Sequence, residues 1–216
     1  MGMNAALAGL VILALGDSHL VYMISPLHEA LEEQGAIVHS FGLCGAMPAD
    51  YLSKTMAQCG AERHDKGAPI VRFQPSPTWV LGDLLERYHP NLIVIELGDN
   101  MGGYGVLPAL PKDWISFEVQ EMLKPIEAHH LPCVWVGPPW GSEGGASNKT
   151  FARVSDLSGY LSQIVYPCRY VDSLRFSQPG QWPTYDGEHL TPDSYRIWGA
   201  DIADAAARLS AQIRSH

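Results

Sequence analysis

The run Leu10-Val11-Ile12-Leu13-Ala14-Leu15 is apolar at six consecutive positions and ends at Gly16. A strand with one wet face alternates apolar and polar side chains, whereas a strand covered on both faces carries apolar residues without a break. The run therefore predicts a central strand of a parallel sheet with helices packed on either side. Further strands are expected over 36–41, 91–97, 131–137 and 169–172, making five in all. Helical patterns separate them. The first reaches about Gln34, and Pro26, with Ser25 as a candidate cap, places the start of its main body late. A second covers 79–88 with Thr78 as cap, and a third covers 115–129 with a kink or break at Pro125. The last two cover 151–163 and a closing segment that opens at Thr191-Pro192-Asp193, a cap followed by proline at the first helical position. Tyr195, Trp198, Ile202, Ala205 and Leu209 give that closing helix one apolar face. Alternating strands and helices imply an α/β three-layer sandwich on a five-stranded parallel sheet. No repeat or low-complexity linker divides the chain, and 216 residues are enough for one domain spanning 1–216. Residues 42–77 read as a long connection rich in glycine and proline, with only a short turn near 49–58. Connections of that length often border a site.

Gly16-Asp17-Ser18 follows the first strand, so Ser18 falls at a helix start. Free backbone N–H groups and the positive end of the helix dipole there can stabilise an oxyanion. The same triplet also occurs as an ordinary strand-to-helix turn, and Asp17 is assigned to holding that turn. A serine hydroxyl needs a base within hydrogen-bond reach and a third group to orient the base. Asp186-Gly187-Glu188-His189 supplies both in a turn just before a helix, where positions three apart can face each other. Ser18, His189 and Asp186 are thus the candidate nucleophile, base and orienting carboxylate.

On these blocks the chain resembles the SGNH (GDSL-type) hydrolases. Gly16-Asp17-Ser18 matches their first block and Asp186 to His189 their last. Gly45, after the second strand, and Asn100, in Gly98-Asp99-Asn100 after the third, match the two blocks between. The resemblance spans nearly the whole chain and implies a flavodoxin-like strand order, with an oxyanion hole made by the Ser18 and Gly45 N–H groups and the Asn100 amide. Three departures stand out: Met101 replaces the aspartate that often follows the asparagine, Gly42 competes with Gly45 for the glycine position, and His19 follows the serine. Gly-Asp-Ser-His with Asp-Gly-x-His-Leu is similar to SGNH domains that add or remove acyl groups on bacterial envelope polysaccharides. A fold and a triad do not name a substrate.

The formal charge is −9, from 14 Lys and Arg against 23 Asp and Glu, and no basic tract follows a phosphate backbone, so nucleic acid is not an expected partner. The apolar stretch 5–15 is shorter than the roughly 20 residues a membrane helix needs. It reads as neither anchor nor intact signal peptide, and Met1-Gly2-Met3 fits an added start that would hide a removed export signal. Cys44, Cys59, Cys133 and Cys168 are too sparse for a disulfide scaffold. Cys133 and Cys168 meet if strands four and five are neighbours, and Cys44 and Cys59 can close the long loop. An exported protein would let both bridges form, whereas a cytosolic one would leave buried thiols, and a periplasmic or secreted location is expected over a cytoplasmic one. A nucleophilic role for Cys44 lacks a histidine partner.

No metal or cofactor is expected. His129 and His130 point to different sides of a helix, no histidine pair has ligand spacing with a third donor, and the histidines read as solvated. Gly141-Ser142-Glu143-Gly144-Gly145 lacks the lysine and hydroxyl of a phosphate loop. Asn148-Lys149-Thr150 fits a glycosylation acceptor, which has no meaning in a bacterial host. Trp140, Trp182, Tyr185 and Tyr104 lie in loops flanking the catalytic blocks, where they can stack on sugar rings or cover the core rim. The leading expectation is an esterase removing O-acetyl or other short acyl groups from a carbohydrate. An envelope-polysaccharide O-acyltransferase, a lipase or thioesterase, and a noncatalytic carbohydrate-binding relative are the alternatives.

Overall fold

A computed structural model describes residues 6–213, so the readings of Met1-Gly2-Met3 and of Ala5 lie outside the described residues. Nine strands form: β1 (Val11–Gly16), β2 (Ile37–Leu43), β3 (Met56–Ala57), β4 (Ala61–Asp65), β5 (Val71–Phe73), β6 (Ser76–Pro77), β7 (Leu92–Glu96), β8 (Cys133–Val136) and β9 (Arg169–Val171). The helices are α1 (Ser18–Glu33), α2 (Leu81–Tyr88), α3 (Lys112–Ala128), α4 (Phe151–Ile164) and α5 (Pro192–Ile213). The main sheet runs β5-β4-β2-β1-β7-β8-β9. Its five parallel strands, β2-β1-β7-β8-β9, have the expected flavodoxin-like order.

Alternate residues of each parallel strand enter two separate cores. Leu13, Leu15, Ile93, Ile95 and Trp135 pack under α2, α3 and α4. Ile12, Ala14, Val94, Val134 and Val136 pack under α1 and α5, where Leu20, Leu27, Trp198 and Ile202 meet them. This two-sided burial explains the unbroken apolar run of β1. The helices α1 and α5 also pack closely on each other, for a Cβ at Gly199 would lie 3.0 Å from the Leu27 nitrogen.

The sheet has seven strands rather than five because the long connection is partly strand. β4 lies antiparallel on β2, β5 antiparallel on β4, and β3 pairs with β6. Their sequence lacks apolar alternation because cross-strand polar pairs hold this edge. His39 Nδ1 lies 2.9 Å from Asp65 Oδ1, and Arg72 Nε donates to Glu62 Oε1. The first helix begins at Ser18, capped by Asp17, and a break at Met23 (φ −106°, ψ 18°) separates this opening turn from the main body that carries Pro26, in line with its expected late start. α3 runs through Pro125, whose missing N–H falls in the last turn. Thr78 does not cap α2; its hydroxyl accepts from the Thr55 N–H at 2.9 Å and donates to the Ser53 carbonyl. Both anticipated disulfides are present, Cys44–Cys59 closing the loop after β2 and Cys133–Cys168 joining the starts of β8 and β9. Among the described residues no helix is long and apolar enough to cross a membrane.

Candidate active site

Gly16 is in register with Gly42 of β2 and Glu96 of β7, so the loops after these three strands leave the sheet at one edge. The turn after β1 is too crowded for a side chain, since a Cβ on Gly16 would lie 2.5 Å from Leu20 Cβ and 2.9 Å from the Glu96 carbonyl. Gly42 serves the same packing: a Cβ there would meet the Val21 nitrogen of α1 at 2.8 Å. Gly45 lies beyond the strand with φ +74°, in the turn expected of the second block. Close packing thus accounts for Gly42 and leaves Gly45 as the loop glycine.

Ser18 opens α1, and its Oγ lies 2.9 Å from His189 Nε2. His189 Nδ1 lies 2.7 Å from Asp186 Oδ2. The other Asp186 oxygen accepts from the backbone N–H groups of Glu188 and His189 at 3.0 and 2.8 Å. Burial pulls the Asp186 carboxyl upward, but the His189 ring and these N–H donors outweigh it and hold the group down to about 2. Asp186 is therefore ionised at neutral pH and accepts the Nδ1–H of His189, leaving Nε2 to accept from Ser18.

The glycine-rich segment before α4 backs this turn. The Ala146 N–H donates to the Asp186 carbonyl at 2.8 Å and the Ser142 N–H to the Gly187 carbonyl at 2.9 Å. A Cβ on Gly145 would lie 1.9 Å from the Asp186 carbonyl oxygen. These glycines thus permit one backbone to press against another. Gly187 has φ +100°, which lets the four-residue block close on itself.

Asn100 Nδ2 donates to Asp17 Oδ2 at 3.1 Å and to the Ala46 carbonyl at 3.0 Å. The amide joins the loops after β1, β2 and β7, and both its hydrogens are engaged. Asp17 is fully buried. Burial raises its carboxyl and that of Glu96, also buried, well above the usual range. Tyr51 Oη lies 2.7 Å from the carbonyls of both Gly16 and Phe41, tying β1 to β2 beneath the site.

A second polar cluster lies directly behind Ser18, and sequence reasoning missed it. His19 Nε2 lies 2.7 Å from Asp99 Oδ2, the same oxygen accepts from Lys149 Nζ at 2.6 Å, and Tyr104 donates to Asp99 Oδ1. His19 Nδ1 lies 2.8 Å from the Tyr195 hydroxyl. The side chains of His19, Asp99 and Lys149 are all 0% exposed. Burial would raise Asp99, but the Lys149 charge and the His19 hydrogen bond hold it well below the usual carboxylate range; burial lowers His19, so its ring is neutral. Donor atoms of His19, Asp99 and Glu188 lie within 4.8 Å of one another, a grouping able to hold a cation. The chain's own ammonium already sits on the Asp99 oxygen there. His19 after the serine was the visible signal; Lys149, in a polar loop tripeptide, gave none.

The expectation of solvated histidines holds for His129 and His130 but fails for His19 and for His28, which is 1% exposed. Three of the four candidate sugar platforms also need correction. Trp182 and Tyr104 are buried in the two cores, and Trp140 is half-buried, its Nε1 donating to the carbonyls of Leu174 and Ser177. Large aromatic bodies in loops that fold back over a sheet gain more by entering the core than by facing water. Tyr185 alone is open, at 66% exposure. Tyr22 was not anticipated: it is 56% exposed, its ring centroid lies 5.0 Å from that of His189, and it stacks on Tyr195.

Four loop blocks in this order at one edge of a flavodoxin-like sheet are the arrangement of the SGNH (GDSL-type) hydrolase fold, and the chain has that fold. It is 37% identical over 209 residues to Protein BcsX of Komagataeibacter xylinus, covering 94% of this chain and 79% of that one, and it belongs to the same family. No protein-family model matches the sequence. Among solved structures, a proposed arylesterase from Agrobacterium tumefaciens superposes with a TM-score of 0.64 at 16% identity, over 92% of this chain and 98% of that one. The acetyl xylan esterase AlAXEase gives 0.58 at 14% identity over 90% and 98%. A proposed SGNH hydrolase from Slackia heliotrinireducens gives 0.55 at 17% identity over 90% and 97%. At these identities the three share the fold.

Proposed function

We propose that this protein is a serine esterase that removes O-acetyl or similarly short acyl groups from a carbohydrate. The observation that carries the reading is the unbroken line from Ser18 Oγ through His189 to Asp186, with contacts of 2.9 and 2.7 Å. Ser18 attacks the acyl carbonyl while His189 Nε2 takes its proton, and Asp186 stabilises the imidazolium. The oxyanion is met by the N–H groups of Ser18 and Gly45 and by the Asn100 amide, which exchanges its Asp17 partner for the new charge. His189 then returns the proton to the departing sugar hydroxyl. A water, deprotonated by the same ring, releases the acid and regenerates Ser18.

Two features support a sugar on the leaving side. Tyr22 and Tyr185 are exposed, Tyr22 against the His189 ring and Tyr185 bonded through its N–H to the His189 carbonyl at 2.8 Å. Aromatic faces beside a reacting ester suit the apolar faces of pyranose rings. A pocket of about 360 Å³ adjoins Gly45, and Asp50 and Thr78 in its wall disfavour a long hydrocarbon chain. The acetyl xylan esterase among the structural neighbours is an analogy of fold.

The test is a panel of acetylated oligosaccharides and chromogenic esters of increasing acyl length, run with Ser18→Ala and Asn100→Ala proteins. Ser18→Ala should abolish turnover, and Asn100→Ala should cost about 100- to 1000-fold in kcat. Full esterase activity in Ser18→Ala refutes the mechanism, and a preference for long acyl chains refutes the substrate class. Acyl transfer to added oligosaccharide in place of release to water reassigns the reaction as transfer.

A further inference from the structure

Nothing in the acyl transfer just described requires a fully buried lysine, yet Lys149 and its partners join four distant parts of the chain immediately behind Ser18. We propose that Asp99, His19 and Tyr195 form a positioning relay for His189, with Lys149 as its fixed cation. The inference rests on the reading of Ser18 and His189 as the reacting pair.

The direction of each hydrogen bond follows from the donors available. Lys149 can only donate, so Asp99 Oδ2 accepts from it at 2.6 Å, and the same ionised oxygen accepts the His19 Nε2–H at 2.7 Å. A neutral imidazole carries one N–H. His19 Nδ1 must therefore accept, and the Tyr195 hydroxyl 2.8 Å away must donate. The Tyr195 ring in turn stacks on Tyr22, whose ring centroid lies 5.0 Å from that of His189. The relay thus ends in the aromatic packing against the base.

A second route is direct packing. The His19 ring lies 5.4 Å from the His189 ring, with Trp198 edge-on to His19 at 5.5 Å and Tyr195 edge-on at 5.9 Å. His19 is thereby clamped on two sides and cannot flip without breaking both of its hydrogen bonds. A ring so fixed forms a rigid wall behind His189, whose own contacts with Asp186 set its tautomer but not the depth of its loop. His19, Tyr195, Asp99 and Lys149 do not touch the reacting atoms and are positioning residues.

Three proteins test the relay: Tyr195→Phe, which keeps the ring and loses the hydroxyl; His19→Gln, which retains a donor for Asp99 but no acceptor placed for Tyr195; and the double variant. With a small chromogenic acetate ester, each single change should lower kcat about 10- to 100-fold while KM stays within about twofold, as expected when the base is misplaced and substrate contacts are intact. Links in series fail together, so the double variant should be no worse than the poorer single one. Losses that multiply, or single variants within twofold of the parent kcat, overturn the relay. A second arm does not depend on turnover. In nitrogen-15 histidine spectra of Ser18→Ala protein, His19 should show the neutral Nε2–H tautomer, and adding Tyr195→Phe should shift the His189 ring signals. A different His19 tautomer, or unmoved His189 signals, also overturns it, whereas retained activity in Ser18→Ala would count against the esterase mechanism instead.

Discussion

Lys149→Met is the most discriminating single perturbation of the folded state. Methionine keeps most of the stem volume and removes the ammonium, so the Asp99 carboxylate, 0% exposed, loses the cation 2.6 Å away. Breaking a buried pair from one side typically costs about 3–5 kcal/mol, because the remaining charge has no solvent to turn to. For a chain of this length about 1 kcal/mol moves the melting temperature by about 2–4 °C, so the variant should melt about 6–20 °C lower at neutral pH. The pH dependence follows from the state of Asp99. In the parent its folded carboxyl sits below the ordinary value of 3.8, so its stabilisation is present above that value and is lost as pH falls through the folded one. Without Lys149, burial raises the same carboxyl, and the variant loses stability as pH rises through the raised value. The gap between the two proteins should therefore be widest near neutrality and narrow toward about pH 4. Thermal melts of both proteins across that range provide the measurement. A gap under about 3 °C, or one that does not change with pH, would refute the account of Lys149 as the charge partner of Asp99.

Acid should also act through His28, which is stacked on His64 at 3.7 Å and bonded to Ser40. Burial and the neighbouring His64 lower it from 6.5 to about 4, so the unfolded chain binds the proton more readily and stability is lost as pH falls through that window, by about 3 kcal/mol. His28→Gln should flatten the acid limb of a stability profile, and an unchanged slope would count against it. Gly145→Ala alters no proposed catalytic side chain but places a methyl group 1.9 Å from the backbone carbonyl of Asp186 at φ +69°. It should cut ester turnover at least tenfold by displacing the Asp186 block; parent-like kinetics would show that the loop yields. Replacing Cys44 and Cys59 together by serine opens a loop of sequence separation 15 and should cost about 3 kcal/mol, seen as a lower urea midpoint. An unchanged midpoint would mean that the loop is held by β2, β4 and Tyr51 alone.

Local chemistry made the outline of this protein legible in one dimension. A six-residue apolar run can be covered on both faces in few ways, and Gly16, Ser18 and the four-residue block from Asp186 to His189 carry their geometry within a single turn each. The order of the parallel strands and the convergence of Ser18 with His189 followed from those patterns and the family they resemble. What remained hidden depended on partners remote in sequence. β4 and β5 are held by backbone pairing and polar cross-strand contacts, so no apolar period marks them. The aromatic residues of the loops divide between core and rim by where the chain folds back, which placed Trp182 inside and left Tyr185 open, while Tyr22 of α1 came beside His189 only when the two ends of the chain met. Lys149 stands only within a polar loop tripeptide until Asp99, fifty positions away, is brought against it. Burial and charge pairing are properties of the assembled neighbourhood, and only the tertiary structure could decide them.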